Sequence, residues 1–295
     1  MELLNAAGLT KRITDVSEPV LTWFTLNGEE RIELSGPVAR RWIAKTDNFM
    51  ASEFPYGGER FCIVLPPHWR TPFWLLIPWM RGMRLETPHI AADVDLVVSA
   101  DSGFLQAVAD EGGPDALLAQ NLDSLALSWP GELPGTLLDG IADVMTYGDW
   151  VEDPVTAKPG THLVSESIDW VPPNLWTKPK EQTLPIETLG SLDYVGSLFA
   201  VGDGKGRLHP GASSGQESPA QTGLPLSASS VDLEGARVLV HTLDPVLFTA
   251  QLAGLWMAGA RVIWAPGDGI PQEILDQERP DYLLPSGTAS GSTQD

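Results

Sequence analysis

The residues best placed to hold a charged ligand are Gly202, Gly204, Lys205 and Gly206, inside Ser197–His209 (SLFAVGDGKGRLH). Glycines let backbone N–H groups turn toward one point, and a neighbouring lysine adds a positive charge, so such a loop can cradle an oxyanion. Asp203 works against this, because it sets a negative charge where the anion would sit. A lone G-x-G-K-G reads first as a solvated turn. Ser286–Thr293 (SGTASGST) has the composition of a phosphate loop, but no basic residue and no helix follows it, so it reads as a flexible tail. The histidines His68, His89, His162, His209 and His241 show no metal-ligand spacing. His241 lies in an apolar run, where a hydrogen-bonded core role is expected. Asp139, Asp143, Asp149, Glu152 and Asp153 lack the glycine-centred spacing of a calcium loop and read as a solvated acidic face.

Composition narrows the partners. The 295 residues carry 18 basic and 39 acidic side chains, a net charge of −21. That balance argues against a phosphate-backbone partner, which needs a basic face, and against an anionic membrane surface. Cys62 is the sole cysteine, so no internal disulfide and no cysteine-based zinc site is expected. The first 34 residues have acidic side chains and no basic start leading into an apolar run, so no signal peptide is read there. Phe73–Met80 (FWLLIPWM) is far shorter than the ~20 residues a bilayer requires and reads as a buried helix. The expectation is a soluble, cytoplasmic protein.

The elements that must position these residues show in the pattern. Trp23–Leu26, Asn27-Gly28 and Arg31–Leu34 form a hairpin signal. Ser35 reads as an N-cap with Pro37 in the first turn, and Val38, Trp42, Thr46, Phe49 and Met50 mark one helical face. Arg60–Leu65 is a continuous apolar run suited to a buried parallel strand. A helix over Thr71–Arg81 closes at Gly82, with Pro78 predicting a kink or a late start. Strands follow at Met83–Glu86 and Asp95–Ala100, and helix or strand candidates at Ala116–Gln120, Leu125–Ser128 and Leu137–Val144. Trp150, Trp170 and Trp176 are expected to anchor the Pro-rich middle onto a lobe, with a partner site as the alternative.

One offset organises the chain. Gly58, Arg60, Leu75, Trp79, Met80, Gly82 and Arg84 recur 177 residues later as Gly235, Arg237, Leu252, Trp256, Met257, Gly259 and Arg261. Seven identities in 27 positions exceed the roughly two that average composition gives. Each copy reads G-x-R, strand, helix, W-M-x-G-x-R, strand, then a strand led by Asp95 or Asp281. None of the repeated residues is an acid–base group, so the repeat predicts architecture: two similar α/β lobes with a ligand cleft between them.

On these motifs, the chain resembles the adenylate-forming enzymes: acyl-CoA synthetases, peptide-synthetase adenylation domains and luciferases. G-E-R-F-C-I-V-L-P-P-H-W with W-M-R-G-M is similar to their start, and G-A-R-V-L-V-H-T-L-D-P with W-M-A-G-A-R-V to the segment after their phosphate loop. The resemblance covers Trp23–Ser99 and Ala236–Leu284 and extends in particular to an uncharacterised actinobacterial family of truncated adenylate-forming-like proteins. It implies two α/β subdomains with mainly parallel sheets, and makes Gly202, Gly204, Lys205 and Gly206 the remnant of the ATP-binding loop. It also exposes departures. The Ser/Thr hydroxyls of that loop are missing, and the family's later motifs for adenine, ribose and the catalytic lysine are absent.

The expected organisation is therefore a first lobe with hairpin and helix over 1–147, and an irregular connection with the degenerate loop over 148–230. A second lobe follows over 231–285, then a tail over 286–295. The expected function is a truncated adenylate-forming-like protein without adenylation activity of its own and with no resident cofactor or catalytic residue. It would bind a nucleotide (ATP or AMP), an acyl ligand or a protein partner in the cleft. The alternatives are an ATP-dependent acid ligase that uses Lys205, completed by another chain, and an acidic protein-interaction module.

Overall fold

Alternation along the strands tells which layers cover them. In a computed structural model, residues 6–55, 58, 60–152, 233–267 and 269–284 are described, with 162–166 and 181–185 described by backbone alone. In β3 (Arg60–Val64), Phe61 and Ile63 enter one buried cluster and Cys62 and Val64 another. In β5 (Leu96–Ser99) and β6 (Ala116–Ala119), Leu96, Val98 and Leu118 face the first cluster, and Val97, Leu117 and Ala119 the second. A strand that buries both faces has no polar side to alternate with, which is why these segments read as continuous apolar runs.

Two five-stranded sheets result. The first runs β4-β3-β5-β6-β7, all parallel, with β4 at Arg84–Leu85 and β7 at Leu138–Asp139. The second contains β1 (Pro19–Phe24), β2 (Arg31–Ser35), β10 (Arg237–Val240), β11 (Arg261–Trp264) and β12 (Tyr282–Leu284), in the order β12-β10-β11-β1-β2. Only β2 is antiparallel to its neighbour in that sheet. A separate antiparallel pair joins β8 (His162–Glu166) to β9 (Glu181–Pro185). The sheets are mainly parallel, as expected. The hairpin is not where chain order suggests: β1 pairs with β11, so it extends the second copy's sheet rather than the first lobe's. Strand pairing follows the exposed edge of β11, which adjacency in sequence does not record.

Between the sheets lie α1 (Ala6–Ile13), α2 (Gly36–Glu53), α3 (Thr71–Met80) and α5 (Pro245–Met257), whose apolar residues share one cluster with the inner faces of both sheets. Outside, α4 (Ser102–Asp110) covers the first sheet and α6 (Gln272–Glu278) the second. Every residue of α3 is buried, as expected of a helix that is apolar all round. Pro78 stands inside it, two residues before its end, and the helix starts early, with Pro72 in its first turn. Among the described residues, no helix is long and apolar enough to cross a membrane. Leu125–Ser128 forms neither helix nor strand, because its backbone is used by Arg70 and Asn121 instead.

The repeat is realised bond by bond. Arg60 pairs with Arg84 across β3 and β4, and Arg237 with Arg261 across β10 and β11, at the same offset. Gly82 (φ 85°) and Gly259 (φ 82°) leave their helices in the left-handed conformation. Each is followed by a residue whose N–H reaches back five positions, Met83 to the Pro78 carbonyl (3.0 Å) and Ala260 to Leu255 (2.9 Å). That is a Schellman closure twice over. Asp95 Oδ2 accepts from the Arg60 N–H at 2.9 Å, and Asp281 Oδ2 from the Arg237 N–H at 2.9 Å. Each carboxylate thus staples one strand's start to its neighbour.

Two outcomes follow for urea denaturation. Asp95→Ala and Asp281→Ala should each lower stability by about 1 kcal/mol, one charge-assisted hydrogen bond. Gly82→Ala and Gly259→Ala should each cost about 1 kcal/mol through the positive φ, so the four midpoints fall together.

Candidate functional site

In open α/β sheets, ligands meet the chain beyond the carboxyl ends of the strands, and here that edge is built by loops from both sheets. After β3, Pro66-Pro67 end the strand, and the chain turns so that the Thr71 hydroxyl donates to the Pro66 carbonyl (2.8 Å) and the Thr71 N–H to His68 (2.9 Å). This turn carries His68, Trp69 and Arg70 across to the other sheet. The His68 ring lies 4.7 Å from that of Trp23, at the end of β1, and 5.6 Å from Trp69. Trp69 meets Trp42 of α2 edge to face at 5.3 Å. The hairpin turn closes on the same edge, where Ser124 Oγ donates to Glu30 Oε2 at 2.8 Å.

Arg70 is buried, and its charge is spent on the loop after β6. Its terminal nitrogens donate to the carbonyls of Asn121 (3.2 Å), Asp123 (2.8 Å) and Ala126 (3.0 Å), and its plane lies 4.3 Å from the Trp69 ring. Burial lowers its pKa to about 10, with Asp123 opposing, so it stays charged at neutral pH. Gln120 adds to the frame, accepting from Trp74 Nε1 (2.7 Å) and donating to the Asn121 carbonyl (2.9 Å).

His68 is the opposite case. Burial, and then the Arg70 charge, lower its pKa to about 3, while the nearby Leu122 carbonyl pulls weakly the other way. It is a neutral imidazole. Nδ1 accepts from the Arg70 N–H at 3.2 Å, which assigns the proton to Nε2. Among the described residues, the buried Trp23 and Trp69 Nε1–H groups and Arg70 Nε have no hydrogen-bond acceptor, and His68 Nε2–H has only the pull of the Leu122 backbone. Ring edges facing aromatic faces offset only part of that cost. These donors sit in one aromatic cluster and are poorly satisfied by the described residues. It offers hydrogen bonds to an oxygen acceptor, not proton transfer.

Other candidate residues are occupied structurally. His241 Nδ1 lies 2.8 Å from the Ala265 carbonyl, so it is a bonded core histidine, as expected. Burial pushes the Cys62 thiol upward, with Glu86 adding, so it is no nucleophile. Asp139 accepts from the N–H groups of Trp129, Ile141 and Ala142, and Asp149 pairs with Lys45 at 2.8 Å. Among the described residues, no group of three or more His, Cys, Asp or Glu side chains could hold a metal. Trp150 does not anchor into the core: it is 67% exposed, and its ring rests 3.8 Å from the Arg40 guanidinium, a cation–π contact. Gly202, Gly204, Lys205 and Gly206, with Trp170, Trp176, His209 and the 286–295 tail, lie outside the described residues. The orphan-donor cluster had one sequence signal, the H-W-R that follows the Pro-Pro break, but nothing in the sequence joins it to Trp23.

No family model matches the chain. It is 30% identical over 157 residues to a Mycobacterium tuberculosis TIGR03089 family protein, covering 52% of this chain and 63% of that one. Among solved structures it resembles an acyl-CoA synthetase from Brucella canis, with a TM-score of 0.60 and 16% identity over 95% of this chain and 47% of that one. The acetoacetyl-CoA synthetase of Streptomyces lividans gives 0.59 and 13%, over 91% and 39%. The amide bond synthetase McbA of Marinactinospora thermotolerans gives 0.54 and 11%, over 94% and 48%. The chain thus spans less than half the length of each of these structures. Its fold is the α/β fold that acyl-CoA synthetases and other adenylate-forming enzymes share.

Proposed function

We propose that this chain is an adenylate-forming-like scaffold that binds an acyl ligand at the carboxyl ends of its sheets and does not form an adenylate by itself. The observation that carries the reading is the cluster of buried donors at His68, Trp23, Trp69 and Arg70 Nε. A carbonyl or carboxylate oxygen placed among them would satisfy N–H groups that otherwise cost free energy, and the surrounding indoles suit an apolar tail. Adenylation asks for more. It needs cations free to neutralise phosphate, and Arg70 at this edge has its terminal nitrogens bound to three carbonyl oxygens. The donors are buried, so reaching them requires a local rearrangement, and association is expected to be slow.

Calorimetry with hexanoate, hexanoyl-CoA, AMP and ATP, alongside a pyrophosphate-exchange assay, tests this. The acyl ligands should bind, and His68→Phe and Trp69→Phe, each deleting one N–H while keeping a ring, should weaken them about five- to tenfold. Hexanoate affinity should stay flat from pH 6 to 8, where the ligand is ionised and His68 remains neutral far above a pKa of about 3. Absence of heat with both acyl ligands would overturn the reading. Pyrophosphate exchange abolished by Lys205→Ala would establish the ligase instead.

A further inference from the structure

The two copies of the repeat differ where their strands begin. In the first, β4 is an edge strand, Arg84 folds onto Glu86, and Arg60 donates to the Asp93 carbonyl. In the second, the equivalent strand β11 is interior, because β1 and β2 have been added beyond it. The hairpin brings Arg31 beside the Arg237–Arg261 pair, and α6 brings Glu278 over the same end. A cavity of about 310 Å³ results, lined by Glu18, Thr22, Arg31, Arg237, Arg261 and Glu278 among others.

Its charges are not equally committed. Glu278, 1% exposed, accepts from Arg31 Nε at 2.7 Å and pairs with Arg237, while Glu33 takes a second Arg31 nitrogen. These pairs lock α6 and the hairpin together. Arg261 is held more loosely: its ion pair is Nη2 to Glu18 at 3.3 Å, and Glu18 is 53% exposed. Arg261 Nε is buried and has no acceptor among the described residues.

We propose that this cavity is a binding site for a small organic oxyanion, a carboxylate or phosphate ester, that docks on Arg261 by displacing Glu18. The Nε and Nη2 of one guanidinium form the planar fork that takes a carboxylate or phosphate through two parallel bonds, and Glu18 engages only one tine. Glu18 returns to water at little cost, since it is already half exposed. Glu278 stays neutralised by its two arginines, so the departure of Glu18 leaves the cavity positive. The volume exceeds what a bare ion fills and matches the small end of ligand pockets. Pro19 and Ile263 add apolar lining for a carbon skeleton. With a net charge of −21 on the chain, long-range steering opposes the anion, so affinity rests on these short contacts. The site lies at the starts of the strands, opposite the acyl edge, and does not depend on that reading.

Calorimetry on the full chain at low ionic strength, with succinate, glycerol 3-phosphate and inorganic phosphate, decides it. Succinate or glycerol 3-phosphate should bind saturably, about tenfold more weakly in Arg261→Gln and about threefold more tightly in Glu18→Gln, which removes the competing carboxylate. The carboxylate and phosphate arms identify which oxyanion is preferred. Arg84→Gln, the matching arginine of the first copy, should leave binding unchanged. No heat from either organic anion with wild type and with Glu18→Gln would overturn the proposal. So would equal weakening by Arg84→Gln, or inorganic phosphate binding as tightly as both organic anions.

Discussion

A helix buried around its whole circumference must be covered on every side, and that demand organises this protein. α3 and α5 occupy equivalent places in the two copies and touch through Phe73 and Trp256, whose rings lie 6.5 Å apart. Each is too apolar to face water anywhere, so each needs a sheet on one flank and a helix on the other. The two sheets meet that need from opposite sides, and a single core cluster runs from Phe61 of one to Val238 of the other.

The same arrangement separates the chemistry of the two strand ends. At the carboxyl ends, loops from both sheets converge, and Arg70 is consumed in holding one of them. What remains there is a set of neutral N–H donors in aromatic surroundings. At the amino ends, parallel pairing in register sets Arg60 beside Arg84 and Arg237 beside Arg261, and like charges side by side require carboxylates nearby. Where the sheet stops at the pair, those charges meet solvent. Where the hairpin continues the sheet, they line a cavity.

Much of the fold was legible because it rests on local rules applied twice. The glycine at a left-handed helix exit, the Asp-led strand and the all-apolar helix each leave a mark in the chain, and the 177-residue spacing shows they belong to one pattern. The hairpin's turn was legible from Asn27-Gly28, but its partner was not, since β1 pairs with β11 across 241 residues (Leu21 with Val262) and no local preference records such a pairing. His68 was passed over for the same reason. Its significance comes from Trp23, a contact across the two sheets, and from burial beside unpartnered indole N–H groups, which only three-dimensional structure displays. The anchoring reading of Trp150 failed because an exposed indole can be held by an arginine as well as by a core. The Lys205 loop stood out by composition, and composition alone assigns it no geometry.

The shared helical layer is tested most directly by native-state hydrogen exchange on Leu252→Ala, a fully buried position in α5. The cavity should cost about 2–5 kcal/mol. If the two copies form one core, the slowest amides of α3 and β3 lose protection by the same amount as those of α5 and β10. Protection falling in α5 and β10 while α3 and β3 keep theirs would mean two independent lobes, and would contradict the account.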